Sequence, residues 1–245
     1  MNEISLDITI PVLNEEKRLI KGVTETLSFL KNTSIKDYQI TIADNGSTDK
    51  TELIANELVS QNPNVLRFIQ IKQKGVGLAL RNSWGSSTKD IIGYMDVDLA
   101  TDLHHIQEAY DKIRIDQVDV VNGSRLLKGS EVINRTIVRE ITSRGYNFLL
   151  QQMLGVNFSD GMCGFKFLKR SAYNNLILAN IETDGWFFCT EILVKASWLG
   201  MNVQEIPVKW TDDNDSRVKI ISLSSRYLKE MLRLRKERKT FAGTF

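Results

Sequence analysis

The chain has 245 residues and a formal net charge of +2, with 42% hydrophobic and 25% charged residues. This composition excludes a disordered tail, a collagen and a disulfide miniprotein, because the chain can bury a substantial core. The spacing of the only two cysteines, Cys163 and Cys189, predicts neither a zinc site nor a disulfide framework, so a reducing cytoplasm is the expected compartment. We expect no signal peptide and no spanning helix, since no apolar stretch reaches about 18 residues.

Charge is distributed unevenly along the chain. Residues 1–216 hold 23 Lys and Arg against 28 Asp and Glu, whereas residues 217–245 hold 9 against 2. A mildly acidic globular part is therefore followed by a basic tail. Such a tail is typical of a solvated helix face, a nucleic-acid contact or an attachment to anionic lipid.

Short apolar runs alternate with amphipathic helical patterns over the first 125 residues, which predicts an α/β fold with a mostly parallel sheet covered by helices. The predicted strands are residues 6–12, 38–43, 65–70, 91–95 and 118–122. The predicted helices between them carry apolar stripes over residues 19–30, 53–58 and 103–113. Asp49 and Glu52 resemble a capping box that opens the second of these helices.

The pattern changes in the second half of the chain. A long helix is predicted over residues 132–154, followed by a glycine-bearing loop, a helix over 191–199 and a strand over 203–209. No internal repeat or Pro/Gly/Ser-rich linker separates the halves. We therefore predict one domain, residues 1–218, followed by a basic amphipathic C-terminal helix within residues 219–245.

Polar residues follow four of the predicted strands, at the edge of an open α/β sheet where ligands bind. They lie in residues 11–16 (PVLNEE), 44–49 (DNGSTD), 74–77 (KGVG) and 96–98 (DVD). An Asp-x-Asp after a buried strand can hold a hard divalent cation on a diphosphate, although an isolated one is more often a cap or a solvated turn. The Asp44 loop is either an ordinary turn and helix start or a carboxylate acceptor for a nucleobase N–H. The glycine loop is not a dinucleotide fingerprint, because Leu80 replaces its third glycine.

Together these motifs resemble glycosyltransferase family 2, which has the GT-A fold. Residues 6–16 resemble its first strand and Pro-x-x-Asn-Glu loop, residues 44–47 its base-binding motif, and residues 96–98 its metal motif. Other segments resemble the branch that makes polyprenyl-phosphate sugars, especially dolichyl-phosphate glucosyltransferases: residues 123–125, 139–147, 160–166, and Trp210 with residues 216–218. The similarity covers about residues 5–218.

The resemblance implies an inverting transfer in which a lipid phosphate oxygen attacks C1 of a nucleotide-diphosphate sugar. It implies that Asp96 and Asp98 hold Mg or Mn on the diphosphate. The residues implied around the donor are Pro11, Asn14, Glu15, Asp44 and Lys74. The cations implied for the acceptor phosphate are Arg125, Arg139, Arg144, Lys166 and Arg217, since Arg offers bidentate geometry to phosphate.

Asp160 has two interpretations within this family. It is the candidate general base if the acceptor is a saccharide or protein hydroxyl. If the acceptor is a phosphate, which is largely ionised at neutral pH, no strong base is needed and Asp160 instead positions Lys166 or the donor sugar. A noncatalytic nucleotide-sugar binding protein is a further alternative, disfavoured by the Asp-x-Asp.

Two departures from the family pattern concern the donor and the metal. Cys189 stands where relatives carry an aspartate in the run Trp186 to Glu191, which affects donor-sugar recognition. Ala100 stands where mannosyltransferases place a polar metal ligand, so Thr101, Asp102, water or the diphosphate must complete the metal shell. His104 and His105 follow at a helix start, where surface or capping roles are more common than metal binding.

The C-terminal segment, residues 218–239, combines an apolar stripe with a cationic face, as an interfacial helix requires. We predict that it binds an anionic membrane surface; the alternatives are packing on the globule or on a second copy in a homo-oligomer. The expected enzyme is a peripheral hexosyltransferase on the cytoplasmic face of a membrane, with UDP-glucose as the preferred donor and no nucleic-acid partner. UDP-glucose is preferred over GDP-mannose because residues 163–166 (CGFK) resemble the glucosyl branch.

Overall fold

A computed structural model describes residues 4–212 and 220–241 of the chain. Its strands are β1 (Leu6–Val12), β2 (Tyr38–Asp44), β3 (Leu66–Gln70), β4 (Ile91–Met95), β5 (Val120–Ser124), β6 (Glu131–Ile133), β7 (Phe165–Lys169), β8 (Val203–Pro207) and β9 (Lys209–Thr211). Its helices are α1 (Leu19–Lys31), α2 (Thr51–Gln61), α3 (Val76–Ser86), α4 (His104–Arg114), α5 (Ile137–Leu154), α6 (Arg170–Leu178), α7 (Phe188–Trp198) and α8 (Ile220–Phe241). The predicted alternation of strands and helices in the first half is confirmed.

The central sheet is mostly parallel, with the strand order β3-β2-β1-β4-β7-β5-β8. Val12 at the end of β1 is paired with Asp44 at the end of β2, and Asp44 with Gln70 at the end of β3. The carboxyl ends of these strands and of β4 therefore meet at one edge. That edge carries the loops that the sequence singles out.

Two apolar clusters cover the faces of the sheet, so the fold has three layers. One cluster packs α1 and α4 against the sheet through residues such as Leu19, Val23 and Ile106. The other contains residues of α3, α5, α6, α7 and α8, among them Trp84 and Leu150. Because both faces are covered, β1 and β4 are buried along their whole length, as is typical of parallel strands.

Several predicted features differ from the structure. The helix predicted over 132–154 begins only at Ile137, because residues 131–133 form β6 and pair with β9. The strand predicted over 203–209 is two strands, β8 and β9, and β5 lies two residues later than predicted. The capping box is also wrong: the Asp49 carboxylate accepts the Thr51 N–H at 3.0 Å, while Glu52 accepts instead from Gln70.

Strand β7 and helix α6 lie where the sequence predicts only a loop. β7 is inserted antiparallel between β4 and β5, and Phe165 and Phe167 are fully buried. The five-residue run FKFLK has no turn signal that predicts this insertion. β7 brings the preceding segment, residues 160–164, to the polar edge beside β4.

Helix α8 packs against the rest of the protein. Tyr227, Met231 and Leu234 are buried in the second apolar cluster. Arg233 Nη2 donates to the buried Glu191 carboxylate at 2.8 Å, and the buried Lys195 ammonium donates to Glu237 at 2.7 Å. Part of the predicted interfacial stripe is therefore an internal contact of the globule. Among the described residues, no helix has the length and apolarity needed to cross a membrane.

Candidate active site

The loop after β1 is fixed to the loop after β2 by hydrogen bonds between them. The Asn14 side-chain oxygen accepts the Thr48 N–H at 2.8 Å, and the Asn14 N–H donates to Ser47 Oγ at 2.9 Å. The Glu15 N–H donates to Thr51 Oγ1 at 2.8 Å. These contacts bring the predicted donor residues of both loops together in one rigid unit.

Asp44 lies at the base of this unit and is fully buried. One carboxylate oxygen accepts the Ser47 N–H at 2.9 Å, whereas Oδ2 has no hydrogen-bond partner in the described structure. A buried acceptor without a partner is costly, so this oxygen is suited to a donor N–H from a ligand. The neighbouring Asn45 ties the strand ends together, donating to the Val12 carbonyl at 2.8 Å and accepting from the Gly75 N–H at 3.3 Å.

The other two predicted donor residues border the same unit. Pro11 is buried in β1 opposite Ala43. Lys74 is exposed, and its Cγ lies 3.6 Å from the Cβ position of Gly46. Lys74 therefore lies beside the Asp44 loop with an exposed side chain.

The glycines after Lys74 serve packing. A Cβ on Gly77 would overlap the Thr183 carbonyl oxygen and the Phe188 side chain, and a Cβ on Gly75 would lie 2.6 Å from the Asp184 carbonyl oxygen. The segment before α7 is thus seated directly on the glycine loop. This contact explains the glycines without a dinucleotide site.

The Asp-x-Asp motif follows β4 at the same edge. Burial, together with the charge of the exposed Asp98, raises the pKa of Asp96 to about 7, against the opposing influence of Arg125 and Lys166. Two adjacent carboxylates whose charges repel one another suit a hard divalent cation, which relieves that repulsion. A Cβ on Gly164 would overlap Asp96 Oδ2, so the glycine leaves the space that the carboxylate fills.

Residues after the motif do not complete a metal site by themselves. Asp102 Oδ1 accepts from the His104 N–H at 3.0 Å and lies 2.7 Å from His104 Nδ1, at the start of α4. His105 Nε2 accepts the Lys209 N–H at 3.0 Å. Thr101 is buried, and its hydroxyl has no hydrogen-bond partner among the residues that the structure describes. In the described ranges no three His, Cys, Asp or Glu side chains converge to hold a metal ion.

Arg125, at the end of β5, is held rigidly between two partners. Its Nε and Nη2 donate to the two oxygens of Asp160 at 2.7 and 3.0 Å, and its own N–H donates to the same carboxylate at 3.1 Å. Its guanidinium carbon lies 4.8 Å from the ring centroid of Trp210, a cation–π contact. Although burial alone raises the pKa of Asp160, the charge and hydrogen bonds of Arg125 lower it to about 2.

Asp160 thus holds Arg125 in place, and the nearby charge of Lys166 also lowers the pKa of Asp160. Asp160 is fully buried, and its lowered pKa makes it a weak base. The loop that carries it is fixed by Glu205, which accepts from the N–H groups of Ser159 and Asp160 at 2.6 and 3.2 Å.

Lys166 occupies a different place from the one its predicted role requires. It is fully buried in β7, and its ammonium donates to the Cys163 carbonyl at 2.7 Å. Its charge favours the ionised form of Asp96. The structure therefore places Lys166 beneath the Asp-x-Asp motif, without access to an acceptor in solution or membrane.

The remaining predicted acceptor cations are dispersed. Arg139 on α5 lies 3.2 Å from Asp212, near the Arg125 pair. Arg144 is 60% exposed and donates to Glu140 one turn away at 2.6 Å, as is typical of a surface ion pair. Arg217, with Ser216 and Val218, lies outside the described residues.

Gly164 and Glu205 are site residues that sequence reasoning misses. Gly164 lies within a motif that the sequence singles out. A glycine is needed there because the Asp96 carboxylate, which follows another strand, occupies the space of a Cβ atom. Glu205 lies in β8 with an unremarkable pattern, VQEIP, and no signal in the sequence connects it to residues 159–160.

Comparisons with known proteins agree with this architecture. The sequence model of Glycosyl transferase family 2 matches residues 7–177. Glycosyltransferase AglD of Haloferax volcanii is 30% identical over 219 residues, 89% of this chain and 35% of AglD. Dolichyl-phosphate beta-glucosyltransferase ALG5C of Trichomonas vaginalis is 31% identical over 229 residues, 89% of this chain and 67% of that protein. The chain thus spans about a third of AglD and two thirds of ALG5C.

Solved structures share the fold at low sequence identity. Glucosyl-3-phosphoglycerate synthase from Mycobacterium tuberculosis, in complex with Mn2+, uridine-diphosphate and glucosyl-3-phosphoglycerate, superposes with a TM-score of 0.68 at 18% identity, covering 95% of this chain and 80% of that one. This likeness shows a GT-A-like α/β fold. Because the family's sequence model covers more than half of the chain, and the sheet brings that family's strand-end motifs to one edge, the chain belongs to glycosyl transferase family 2.

Proposed function

We propose that this chain transfers glucose from UDP-glucose to dolichyl phosphate or a related polyprenyl phosphate, with inversion at C1. The observation that carries the proposal is the Arg125–Asp160 pair beside the Asp-x-Asp motif. The pair offers a fixed cation, which suits a phosphate acceptor. A hydroxyl acceptor would need a base instead. The sugar and the lipid are suggested by relatives named dolichyl-phosphate beta-glucosyltransferase, such as that of Saccharomyces cerevisiae, 30% identical over 95% of this chain.

On the donor side, the unpartnered Asp44 Oδ2 accepts an N–H of the uracil ring. Pro11, Asn14 and Glu15 border the base and ribose, and Lys74 reaches the phosphates. Asp96 and Asp98 would hold Mg or Mn, and the cation would supply charge neutralisation for the diphosphate. Neighbouring structures of the fold contain Mn2+, which supports this choice of cation.

On the acceptor side, Arg125 holds the lipid phosphate with two N–H groups kept in orientation by Asp160. A phosphate oxygen attacks C1 as the bond from C1 to the diphosphate oxygen breaks, and UDP leaves with the electron pair. No proton has to be removed, because a phosphate monoester with a second pKa of about 6 is largely dianionic at neutral pH. Arg139 and Arg217 are further candidates for binding this phosphate. Lys166 and Arg144 are less suitable, because Lys166 is buried and Arg144 forms a surface ion pair with Glu140.

A saccharide or protein hydroxyl as acceptor is the less favoured alternative. It requires a general base, and Asp160, the candidate, has a pKa of about 2 and is paired with Arg125.

The proposed location is the cytoplasmic face of a membrane. The exposed Lys229, Arg235 and Lys236 of α8 support binding to anionic headgroups there.

The proposal is tested by transfer of labelled sugar from UDP-glucose or GDP-mannose to a short-chain polyprenyl phosphate and, separately, to free saccharides, with Mg, with Mn and with chelator. We expect a glycolipid from UDP-glucose alone, lost with chelator and in Asp98→Ala. A glycolipid from GDP-mannose would correct the donor, and product on a saccharide alone would refute the phosphate acceptor.

A further inference from the structure

Helix α5 is apolar on its outer face as well as on its inner face. Five of its side chains are strongly exposed: Ile137 (78%), Val138 (65%), Ile141 (65%), Phe148 (63%) and Leu149 (41%). Ile137, Ile141, Gly145 and Phe148 recur at three- and four-residue intervals, so they lie on one face. A surface helix of a globular protein normally turns polar residues outward. We call these five side chains the α5 stripe.

The inner face of α5 lies against the candidate active site. The Asn147 side-chain oxygen accepts the Gly161 N–H at 2.8 Å, next to Asp160. Tyr146 Oη lies 3.3 Å from Thr190 Oγ1, whose hydroxyl donates to the Gly161 carbonyl. A helix with its side chains is roughly 10–12 Å thick. The α5 stripe is therefore separated from the Arg125 pair by little more than one helix.

Helix α8 adds a basic surface beside the stripe. The rings of Tyr146 and Tyr227 lie 5.7 Å apart, and Arg238 packs against Gly155 at the end of α5. The two helices thus run side by side in the same direction on the same apolar cluster, and each of them has exposed side chains. The outer face of α8 is a cationic row with two leucines, comprising Arg226, Leu228, Lys229, Leu232, Arg235 and Lys236.

We propose that the α5 stripe inserts into the interfacial region of a lipid bilayer while the basic row of α8 contacts its anionic headgroups. An apolar stripe flanked by cations matches the layered chemistry of that surface, apolar below and anionic above. A water-soluble protein partner would not need both layers in this order. The proposal rests on the proposed function in one respect: a membrane-bound acceptor gives this orientation its purpose, since it brings Arg125 close to the headgroup plane.

The stripe, more than α8, supplies the apolar contact. Tyr227, Met231 and Leu234 are already buried against the globule, which leaves Leu228 and Leu232 as the exposed apolar groups among the described side chains of α8. Membrane binding is therefore expected to depend on α5 for insertion and on α8 for charge. Salt weakens the electrostatic contribution of α8 but not the insertion of α5.

Binding is measured by co-sedimentation with vesicles of phosphatidylcholine and phosphatidylserine, without substrate. We expect the double variant Ile141→Glu, Phe148→Glu to bind at least about tenfold more weakly, because each apolar side chain kept out of the bilayer forfeits its transfer free energy. Leu53→Glu is the matched control, since Leu53 on α2 is 66% exposed and lies outside the stripe. Transfer to a short-chain acceptor in solution should be unchanged in both variants.

A second measurement locates the inserted surface directly. The Cβ position of Gly145 has nothing within 4 Å, and both native cysteines are buried, so Gly145→Cys can be labelled selectively with an environment-sensitive fluorophore. We expect a blue shift on adding vesicles, and none with the label at Leu53→Cys. Equal binding of the double variant and wild type, or no shift at residue 145, would overturn the inference. It would also be overturned by a dimer in solution that the double variant dissociates, because a second copy would then cover the stripe. None of these outcomes depends on sugar transfer, so failure of the proposed function is seen separately.

Discussion

The pairing of Asp160 with Arg125 leads to a prediction that separates a positioning carboxylate from a catalytic base. Asp160→Asn removes a fully buried negative charge that accepts three hydrogen bonds from Arg125 and one from the Met162 N–H at 3.1 Å. The asparagine amide presents a donor group where the guanidinium also donates. Because breaking a buried ion pair leaves an uncompensated charge, we expect a loss of about 3–5 kcal/mol in the free energy of unfolding.

The pH dependence of stability follows from the lowered pKa of Asp160. Its folded value of about 2 lies below its ordinary value of 3.8, so the ionised form contributes about 2 kcal/mol to stability. That contribution is complete above the unfolded pKa of about 4 and is lost as the pH falls through about 2. The difference in free energy of unfolding between wild type and Asp160→Asn should therefore narrow as the pH falls from about 4 to about 2, and it should stay constant from about pH 5 to about pH 7.

Urea unfolding of wild type, Asp160→Asn, Arg125→Met and the double variant measures the coupling. We expect the loss in free energy of unfolding of the double variant to be about 2 kcal/mol smaller than the sum of the two single losses. Each single change leaves the other residue of the pair buried without its partner. Arg144→Met is the control, since its exposed pair with Glu140 should contribute less than about 1 kcal/mol. Additive losses, or a stable Asp160→Asn, would refute the account of this pair.

The same variant tests the chemistry. If Asp160 only orients Arg125, Asp160→Asn should raise the KM for the polyprenyl phosphate and leave UDP binding near normal. Arg125→Lys, which retains the charge but not the two-pronged geometry, should show the same pattern more weakly. A loss confined to hydroxyl acceptors would instead restore the role of Asp160 as a base.

Other predictions concern the glycines and the donor loop. Gly164→Ala should displace the Asp96 carboxylate and weaken the apparent affinity for Mn, seen when transfer is titrated with the metal; unchanged metal dependence would contradict the packing described for this residue. Gly77→Ala should destabilise the protein by at least about 1–3 kcal/mol through overlap with the segment before α7, whereas Gly85→Ala, with nothing within 4 Å of its Cβ position, should be neutral or stabilising by thermal unfolding. Asp44→Asn should weaken UDP binding roughly tenfold by calorimetry through a lost charge-assisted hydrogen bond; wild-type affinity would exclude Asp44 from the base site.

Local patterns in the sequence predict the parallel half of the fold and bring together the residues that we propose for the donor. Periodicity distinguishes strands from helices locally, and residues that follow parallel strands must meet at one edge of the sheet. Asp44, Asp96 and Asp98 could therefore be placed together without coordinates. The chain's own patterns were sufficient because each motif directly follows the strand that positions it.

The side of the site that we propose for the acceptor depends instead on packing between segments that are distant in the sequence. Asp160 and Arg125 are 35 residues apart, and they meet because β7 enters the sheet antiparallel between β4 and β5, a choice that no local pattern encodes. The same insertion buries Lys166 and brings Gly164 against Asp96. In α8, periodicity shows that an apolar stripe exists but not what covers it. The packing of the globule decides that Tyr227, Met231 and Leu234 face inward, and it leaves Leu228, Leu232 and the α5 stripe exposed.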